Sequence, residues 1–332
     1  MSKVELAIKF GSNEIFVFRK GFGIVDKVPA YLAVVENGNK IQVKATGKSA
    51  EKMFHSKSSN VTVYQPILNS EIVNEKMAIV LLEEIVKSVI VDRFMLTGVN
   101  VLVAVPCALN EQQLLKIKKV LHCAGMNKIT FVQNGVCARA NLDIDSHSRV
   151  MVVDIGKYIT DISVLNDYNF DFGRMYFLGG KNMDTSLTSF IQDNYNLEVS
   201  DMTSEAIKNE IVSLYDRDLY RIEYIGIDEN NKFVKNEITA SEVKVAIVNI
   251  YDKIFELINN VLKELPKDIV ADIYNNGIMF VGGASKIAGL YEYAKKKLDM
   301  PIIVPDEPQD CVILGAGKLL SKDSEFIKIS LK

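Results

Sequence analysis

Histidine, cysteine and net charge are all scarce in this 332-residue chain, and each scarcity removes a class of function. The three histidines, His55, His122 and His147, are scattered, so a histidine-based metal or acid–base site is not expected. The four cysteines, Cys107, Cys123, Cys137 and Cys311, show no CxxC or metal-type spacing. Each lies among apolar residues and reads as a buried reduced thiol, which fits a reducing cytoplasm. A formal net charge of −3 argues against a nucleic-acid partner, whose binding draws on basic patches. The opening MSKVEL runs straight into strand with no basic leader and apolar run, and no apolar stretch reaches the length of a membrane span, so neither a signal peptide nor a spanning helix is expected.

What is present is an ordinary globular balance, 48% hydrophobic and 24% charged, over a length that suits two domains. The first stretch, VELAIKFGSNEIFVFRK, reads as strand, tight turn, strand, with strands at 4–10 and 14–19. AYLAVVE and KIQVKATG follow as a third and a fourth strand, with Gly38 and Asn39 forming a turn between them. EKMAIVLLEEIVKSVIV carries apolar residues at helical spacing. VNVLVAVP is a nearly continuous apolar run, the signature of a buried parallel strand. Asn110 caps a helix that stops at Gly125, KITFV is a further strand, and a helix through Ala138–Ala140 closes the half.

After the polar DIDSHS the opening layout returns. RVMVVDIGKYITDISVLN is again strand, turn with glycine, strand, and Lys9-Phe10-Gly11 corresponds to Asp154-Ile155-Gly156. The repeat has the scale of a domain. Turn amides of such hairpins hold phosphate, so two of them predict a nucleotide held between two halves. Helices are expected over 184–195, 199–214 and 241–266, with the hairpin insert YRIEYIGIDENNKFVKNEIT between the last two. GIMFVGGAS then ends a strand on a double glycine, and PIIVPDEPQDCVILGAGKLL supplies a short strand, a proline-bounded loop and a helix. Between helix and strand in the first half lie Phe94, Met95 and Leu96 beside Arg93. On the residues alone this loop either tucks into the core or inserts shallowly into a membrane surface.

The tail, DIYNNGIMFVGGASKIAGL with MPIIVPDEPQDCVILGAGKLL, resembles the bacterial actin MreB within the actin–hexokinase–Hsp70 superfamily. FLGGKNMD, DNYNLEVSDMTSEAIKNEI and VMVVDIG extend the resemblance over nearly the whole chain. It implies an α/β actin-like fold: two related domains, each a mixed sheet flanked by helices, with a nucleotide cleft between them. The expected first domain is 1–145 plus the C-terminal helix 313–332, with a small insert at 33–65. The second is 146–312, with an insert at 181–242.

The resemblance also implies the site residues. Gly282, Gly283, Ala284 and Ser285 match the adenosine turn, with alanine for its third glycine. Glu205 and Lys208 match the contacts to ribose and base, and Gly179 and Gly180 also match, although Lys181 stands where an acid is usual. Lys9, Gly11, Ser12, Asn13 and Glu14 form the first phosphate hairpin, and Asp154, Gly156, Lys157 and Tyr158 the second. The hairpins depart from the family pattern. Lys9 replaces an aspartate, Lys157 and Tyr158 replace turn glycines, and Gln133-Asn134 replaces paired glutamates, putting Asn134 at the water-orienting position.

These departures bear on magnesium, which the family holds through aspartates and water. A lysine repels the ion, and an asparagine orients a water without taking its proton. Asp154 remains as a weakened metal and catalytic residue. Two readings of Lys9 stay open. Its ammonium offsets triphosphate charge together with Lys157 while Glu14 points to solvent, or it pairs with Asp154 and seals the site. The resemblance implies ATP or ADP as ligand, weak or lost hydrolysis, and head-to-tail filaments of this chain with itself or with MreB-like paralogues. It places these at the inner face of the cell membrane, where Phe94, Met95 and Leu96 occupy the position of the family's membrane loop. An N-terminal amphipathic helix found in some relatives is not expected. The Lys-, Ile- and Asn-rich composition fits an AT-rich genome, and divergent paralogues of this kind occur in wall-less helical bacteria, where they support helicity and swimming. The alternatives are an ATP-dependent small-molecule kinase of the same superfamily and a monomeric filament adaptor.

Overall fold

The computed structural model describes residues 4–11, 13–38, 40–56, 61–90, 98–142, 149–216 and 219–321. Ser12 and the Phe94-Met95-Leu96 loop lie outside the described residues. The chain divides into two units, one of Met1–Ser146, Tyr168–Gly173 and Asp310–Lys332, the other of His147–Asp167 and Arg174–Gln309.

The first unit is built on a five-stranded sheet in the order Met126–Gln133, Val99–Val105, Val4–Phe10, Glu14–Arg19, Gly23–Pro29. The first three run parallel and the last two are antiparallel additions. Val4–Phe10 lies in the middle, and Leu6, Ala7 and Ile8 are fully buried, which explains its apolar character on both faces. Helix Glu75–Val89 covers the sheet with Met77, Ala78, Leu81, Leu82, Ile85 and Val89, a stripe at the helical period. Asn74 starts it by accepting from Met77 N at 3.1 Å. Helix Glu111–Cys123 opens with a capping box between Asn110 and Gln113. Each fully buried Leu or Ile in this core contributes about 1.5–3 kcal/mol.

A second, smaller layer of the first unit is the sheet Lys40–Thr46, Leu32–Asn37, Thr62–Tyr64, with helix Gly47–Ser56 beside it. Its own small core is Tyr31, Ala33 and Ala50.

The second unit repeats the larger sheet. Within this unit the strand order is Thr160–Asn166, Arg149–Ile155, Ile278–Val281, Ile302–Ile303. Arg149–Ile155 pairs antiparallel with Thr160–Asn166 and parallel with Ile278–Val281, as Val4–Phe10 does with its own neighbours. The long helix Ala240–Glu264 is capped by a Thr239–Glu242 box and buries Val243, Ile247, Ile250, Ile254, Ile258 and Val261. Strands Arg221–Ile227 and Phe233–Thr239 form the expected hairpin, turning at Asn231 with φ 58°.

Three local expectations change. The third strand of the first unit is Gly23–Pro29, ahead of Leu32–Asn37. Asp26 and Lys27 break its apolar pattern, which an edge strand tolerates because one side faces no partner strand. Helix Lys267–Asn276 was not anticipated; only Ile273 is fully buried in it, so its period is faint. The cysteines are not uniformly buried. Cys137 and Cys311 are, Cys107 is half-buried, and Cys123 is exposed as the last residue of its helix.

The C-terminal helix Cys311–Ser321 packs closely on Asn134–Asn141. A Cβ at Gly315 would fall on the Cys137 carbonyl oxygen, 2.6 Å from its carbon. Alanine normally favours a helix over glycine by about 1 kcal/mol. Here the clash is with backbone and outweighs that gain, so Gly315→Ala should lose about 1–3 kcal/mol net. Gly283→Ala, whose Cβ would meet nothing within 4 Å, serves as the control. Urea melts of the two variants check this; equal midpoints would contradict the packing.

Candidate functional site

The local construction that organises the second unit is the turn of its hairpin. Gly156 N donates to Ile159 O at 2.8 Å and closes the turn. The turn carbonyls are then taken by the start of helix Gly180–Tyr195. Gly180 N donates to Gly156 O at 3.0 Å, and Lys181 N donates to Lys157 O at 2.6 Å. A helix leaves its first amides without intrahelical acceptors, and here the hairpin satisfies two of them. Gly179 allows the approach: a Cβ there would lie 2.5 Å from Gly156 O and 3.0 Å from the Lys157 backbone.

Charged side chains close around this contact. Lys157 Nζ lies 2.9 Å from Glu205 Oε2, on helix Asp201–Ile211. Lys208, one turn further along that helix, reaches back with Nζ 2.6 Å from Asp184 Oδ1 and donates to Gly180 O at 3.3 Å. Lys181 pairs with Asp201 at 2.6 Å. The pairs differ in kind. The Lys208 and Asp184 side chains are 12% and 1% exposed, whereas those of Lys157 and Glu205 are 25% and 34% exposed. A pair as accessible as the second contributes about 0.2–1 kcal/mol. Losing one partner of the first leaves a charge in the interior and costs about 3–5 kcal/mol.

The titration behaviour follows from these settings. For Lys157, burial opposes the charged form, but the hydrogen bond and charge of Glu205 prevail and hold its pKa above the ordinary lysine value. For Asp184, burial dominates and raises the carboxyl above the aspartate value, with Lys208 offsetting part of the effect.

The glycine turn lies on the other side of the hairpin. Gly282, at φ +90°, packs so close to Asp154 Oδ1 and Ile155 O that no Cβ fits. Gly282 N donates to Pro308 O at 2.8 Å, and Ser285 Oγ donates to Val281 O at 2.7 Å. Ala284 O accepts from the buried Tyr251 hydroxyl at 2.7 Å. The turn is thus held from within, while Gly283 borders open space. The structure therefore brings together Asp154, Gly156, Lys157, Gly179, Gly180, Glu205, Lys208 and Gly282, with Tyr158 beside Lys157 in the turn.

In the first unit, Lys9 sits opposite Phe16 in the opening hairpin and is 7% exposed. Its ammonium lies 5.9 Å from the centroid of the Phe16 ring. Lys27, paired with Asp310 at 2.7 Å, lies 5.9 Å from the same centroid. Both are at cation–π distance. Gly11 N donates to Glu14 O at 2.8 Å to close the turn, and Asn13 accepts a side-chain hydrogen bond from Gln65. Asn134 is buried at the start of helix Asn134–Asn141, following Gln133. Burial pushes the Cys137 thiol of that helix far above its ordinary range, with the charge of Lys9 acting the other way.

Three residues of the second-unit construction escaped the sequence reading: Asp184, Asp201 and Tyr251. Asp184 carried a signal. It lies in a helix whose Met183, Leu187 and Ile191 are buried, and a carboxylate at such a position requires a cation.

The family model described as MreB/Mbl protein matches residues 3–328. The cell shape-determining protein MreB of Escherichia coli (strain K12) is 25% identical over 322 residues, 95% of this chain and 93% of its own. The cell shape-determining protein Mbl of Bacillus subtilis (strain 168) is 24% identical over 331 residues, 98% of each chain. The crystal structure of MreB5 of Spiroplasma citri bound to ADP superposes with a TM-score of 0.89 at 21% identity, over 98% of this chain and 99% of that one. The MamK double helical filament gives a TM-score of 0.80 at 19% identity, over 96% and 99%. The fold is actin-like, two related domains each with a mixed sheet flanked by helices.

The Lys208–Asp184 pair gives a test with a defined sign. The raised Asp184 carboxyl keeps its proton to higher pH in the folded chain than in the unfolded one, so its contribution to stability falls as pH rises through the interval between the two values. Lys208→Met extends that interval upward. It should cost about 3 kcal/mol near neutral pH and recover part of this in mild acid. Adding Asp184→Asn should remove the pH-dependent part. Melting temperatures across pH check it; a loss independent of pH would contradict the assignment.

Proposed function

The chain belongs to the MreB/Mbl family, and from that premise we propose that it is a nucleotide-binding filament protein that contributes to cell shape, with weak or absent ATP hydrolysis. The observation that carries this reading is the gathering of the hairpin turn, Gly179-Gly180, Glu205 and Lys208 at one place in the second unit. Those are the positions the family resemblance assigns to phosphate, ribose and base.

The residues suit an adenine nucleotide. Glu205 is accessible enough to accept from ribose hydroxyls, and Lys157 offers an ammonium to phosphate. Asp154, Gly156, Tyr158 and the turn Gly282–Ser285 complete this side. Lys9, Gly11, Ser12, Asn13 and Glu14, at the family's other phosphate-hairpin positions, are proposed as phosphate contacts, with Lys9 supplying positive charge. The donors do not suit magnesium. Asp154 is the one carboxylate among the hairpin positions where the family holds the ion, and Lys9 and Lys157 bring ammonium groups instead. Asn134 lacks the basicity to take a proton from water.

Self-association is supported by the likeness to MamK, which forms a double helical filament. The hairpin region of the second unit also presents large apolar side chains: Leu219 is 81%, Tyr220 76% and Phe233 80% exposed. Residence at the inner membrane surface, through Phe94, Met95 and Leu96, completes the proposal. No helix among the described residues is long and apolar enough to cross a membrane. Assembly with MreB-like paralogues, and a part in helicity or motility, extend the same reading.

Phosphate release under polymerising conditions should be slower than from a family member carrying the glutamate, assayed alongside. Asn134→Glu alone should raise it little, because the lysines remain. Equal rates in the two proteins would overturn the hydrolysis reading. Replacing Phe94, Met95 and Leu96 together by serine should reduce co-sedimentation with anionic liposomes while pelleting of filaments persists; unchanged lipid binding would remove the loop from the proposal.

A further inference from the structure

Lys157 combines a fixed backbone, which any residue in its place would share, with a side-chain reach that a glycine would lack. Its backbone is held rigidly, because Lys157 O accepts from Lys181 N at 2.6 Å and the turn is closed by the Gly156 N to Ile159 O bond. Its side chain then reaches from the hairpin to helix Asp201–Ile211 and ends on Glu205 Oε2 at 2.9 Å. The ammonium thus occupies the carboxylate assigned, on the reading above, to the ribose. A hydroxyl donor seeking Glu205 must share it with Lys157 or displace it.

The neighbouring pair shows what this arrangement is not. Lys208 and Asp184 are enclosed and linked further to Gly180 O, a fixed part of the fold. Lys157 and Glu205 remain accessible on both sides, and the four methylenes of a lysine let its ammonium swing about a fixed Cα. The positive charge on Lys157 is secure, since Glu205 holds its pKa above the ordinary lysine value.

We propose that Lys157 is a specificity-determining residue that admits nucleotides bearing phosphate and disfavours the bare nucleoside. A bound phosphate offers the ammonium a second, more highly charged acceptor. Lys157 transfers from Glu205 to phosphate, and Glu205 is released to accept from the ribose. A nucleoside has no phosphate, so it must compete with Lys157 for Glu205 and receives nothing in exchange. One residue thereby couples the two ends of the ligand. This inference rests on the nucleotide-binding reading and adds the selection mechanism.

The test is calorimetric titration of the full chain with ADP and with adenosine, both in EDTA. Lys157→Met should weaken ADP binding about tenfold and strengthen adenosine binding about threefold, so the ratio of the two affinities narrows roughly thirtyfold. Lys157→Gln, which keeps a polar side chain in the turn, should shift both affinities in the same directions and stands in if the methionine variant does not fold. If ADP binds the unmodified chain but the ratio stays constant in the variants, the selection mechanism is wrong and the nucleotide reading survives. Absence of ADP binding by the unmodified chain overturns both.

Discussion

The close approach of Gly179 to the second hairpin is the constraint on which the rest of the site depends. A side chain there would strike the carbonyl of Gly156 and the backbone of Lys157. Because glycine leaves the space free, the amides of Gly180 and Lys181 reach the turn and fix helix Gly180–Tyr195 against it. That contact sets where Asp184 lies, and so where Lys208 ends. It also aims the Lys157 side chain at Glu205. A network of two cations and two carboxylates follows from one missing Cβ. The energetic weight sits in the enclosed pair, and the capacity for exchange sits in the accessible one.

Much of this was legible in the sequence because the signals were local. The duplicated strand–turn–strand pattern is present in both sheets, with Val4–Phe10 and Arg149–Ile155 making the same antiparallel and parallel pairings. The cap at Asn110 lies where residue type placed it. Strand Gly23–Pro29 and helix Lys267–Asn276 were harder, since edge placement and a mostly exposed surface leave little periodicity to read. The ion pairs were the least visible. Lys157 and Glu205 are separated by 48 positions, and nothing in either segment names the other. Reading the lysine as a phosphate ligand alone missed its acceptor within the protein.

On the proposed reading, the chemistry of the site turns on the residues standing at the family's metal-holding and turn positions. A divalent ion organises phosphate by coordination at fixed angles, whereas an ammonium neutralises charge without imposing a geometry. A lysine at the hairpin therefore preserves attraction for phosphate but gives up the orienting role. Asn134, at the position the family resemblance assigns to the water-orienting glutamate, is proposed to bind water without taking its proton. On the proposed reading both changes favour holding a nucleotide over hydrolysing it. In the proposed selection mechanism the accessible Lys157–Glu205 pair is the part of the site that exchanges partners.

The most direct measurement is a high-resolution structure of the chain with a non-hydrolysable ATP analogue, grown with magnesium present. The account predicts Lys157 Nζ within hydrogen-bonding distance of a phosphate oxygen, Glu205 turned to the ribose hydroxyls, and no octahedral ion at Asp154. An octahedral magnesium held at Asp154, with Lys157 still on Glu205, would contradict it.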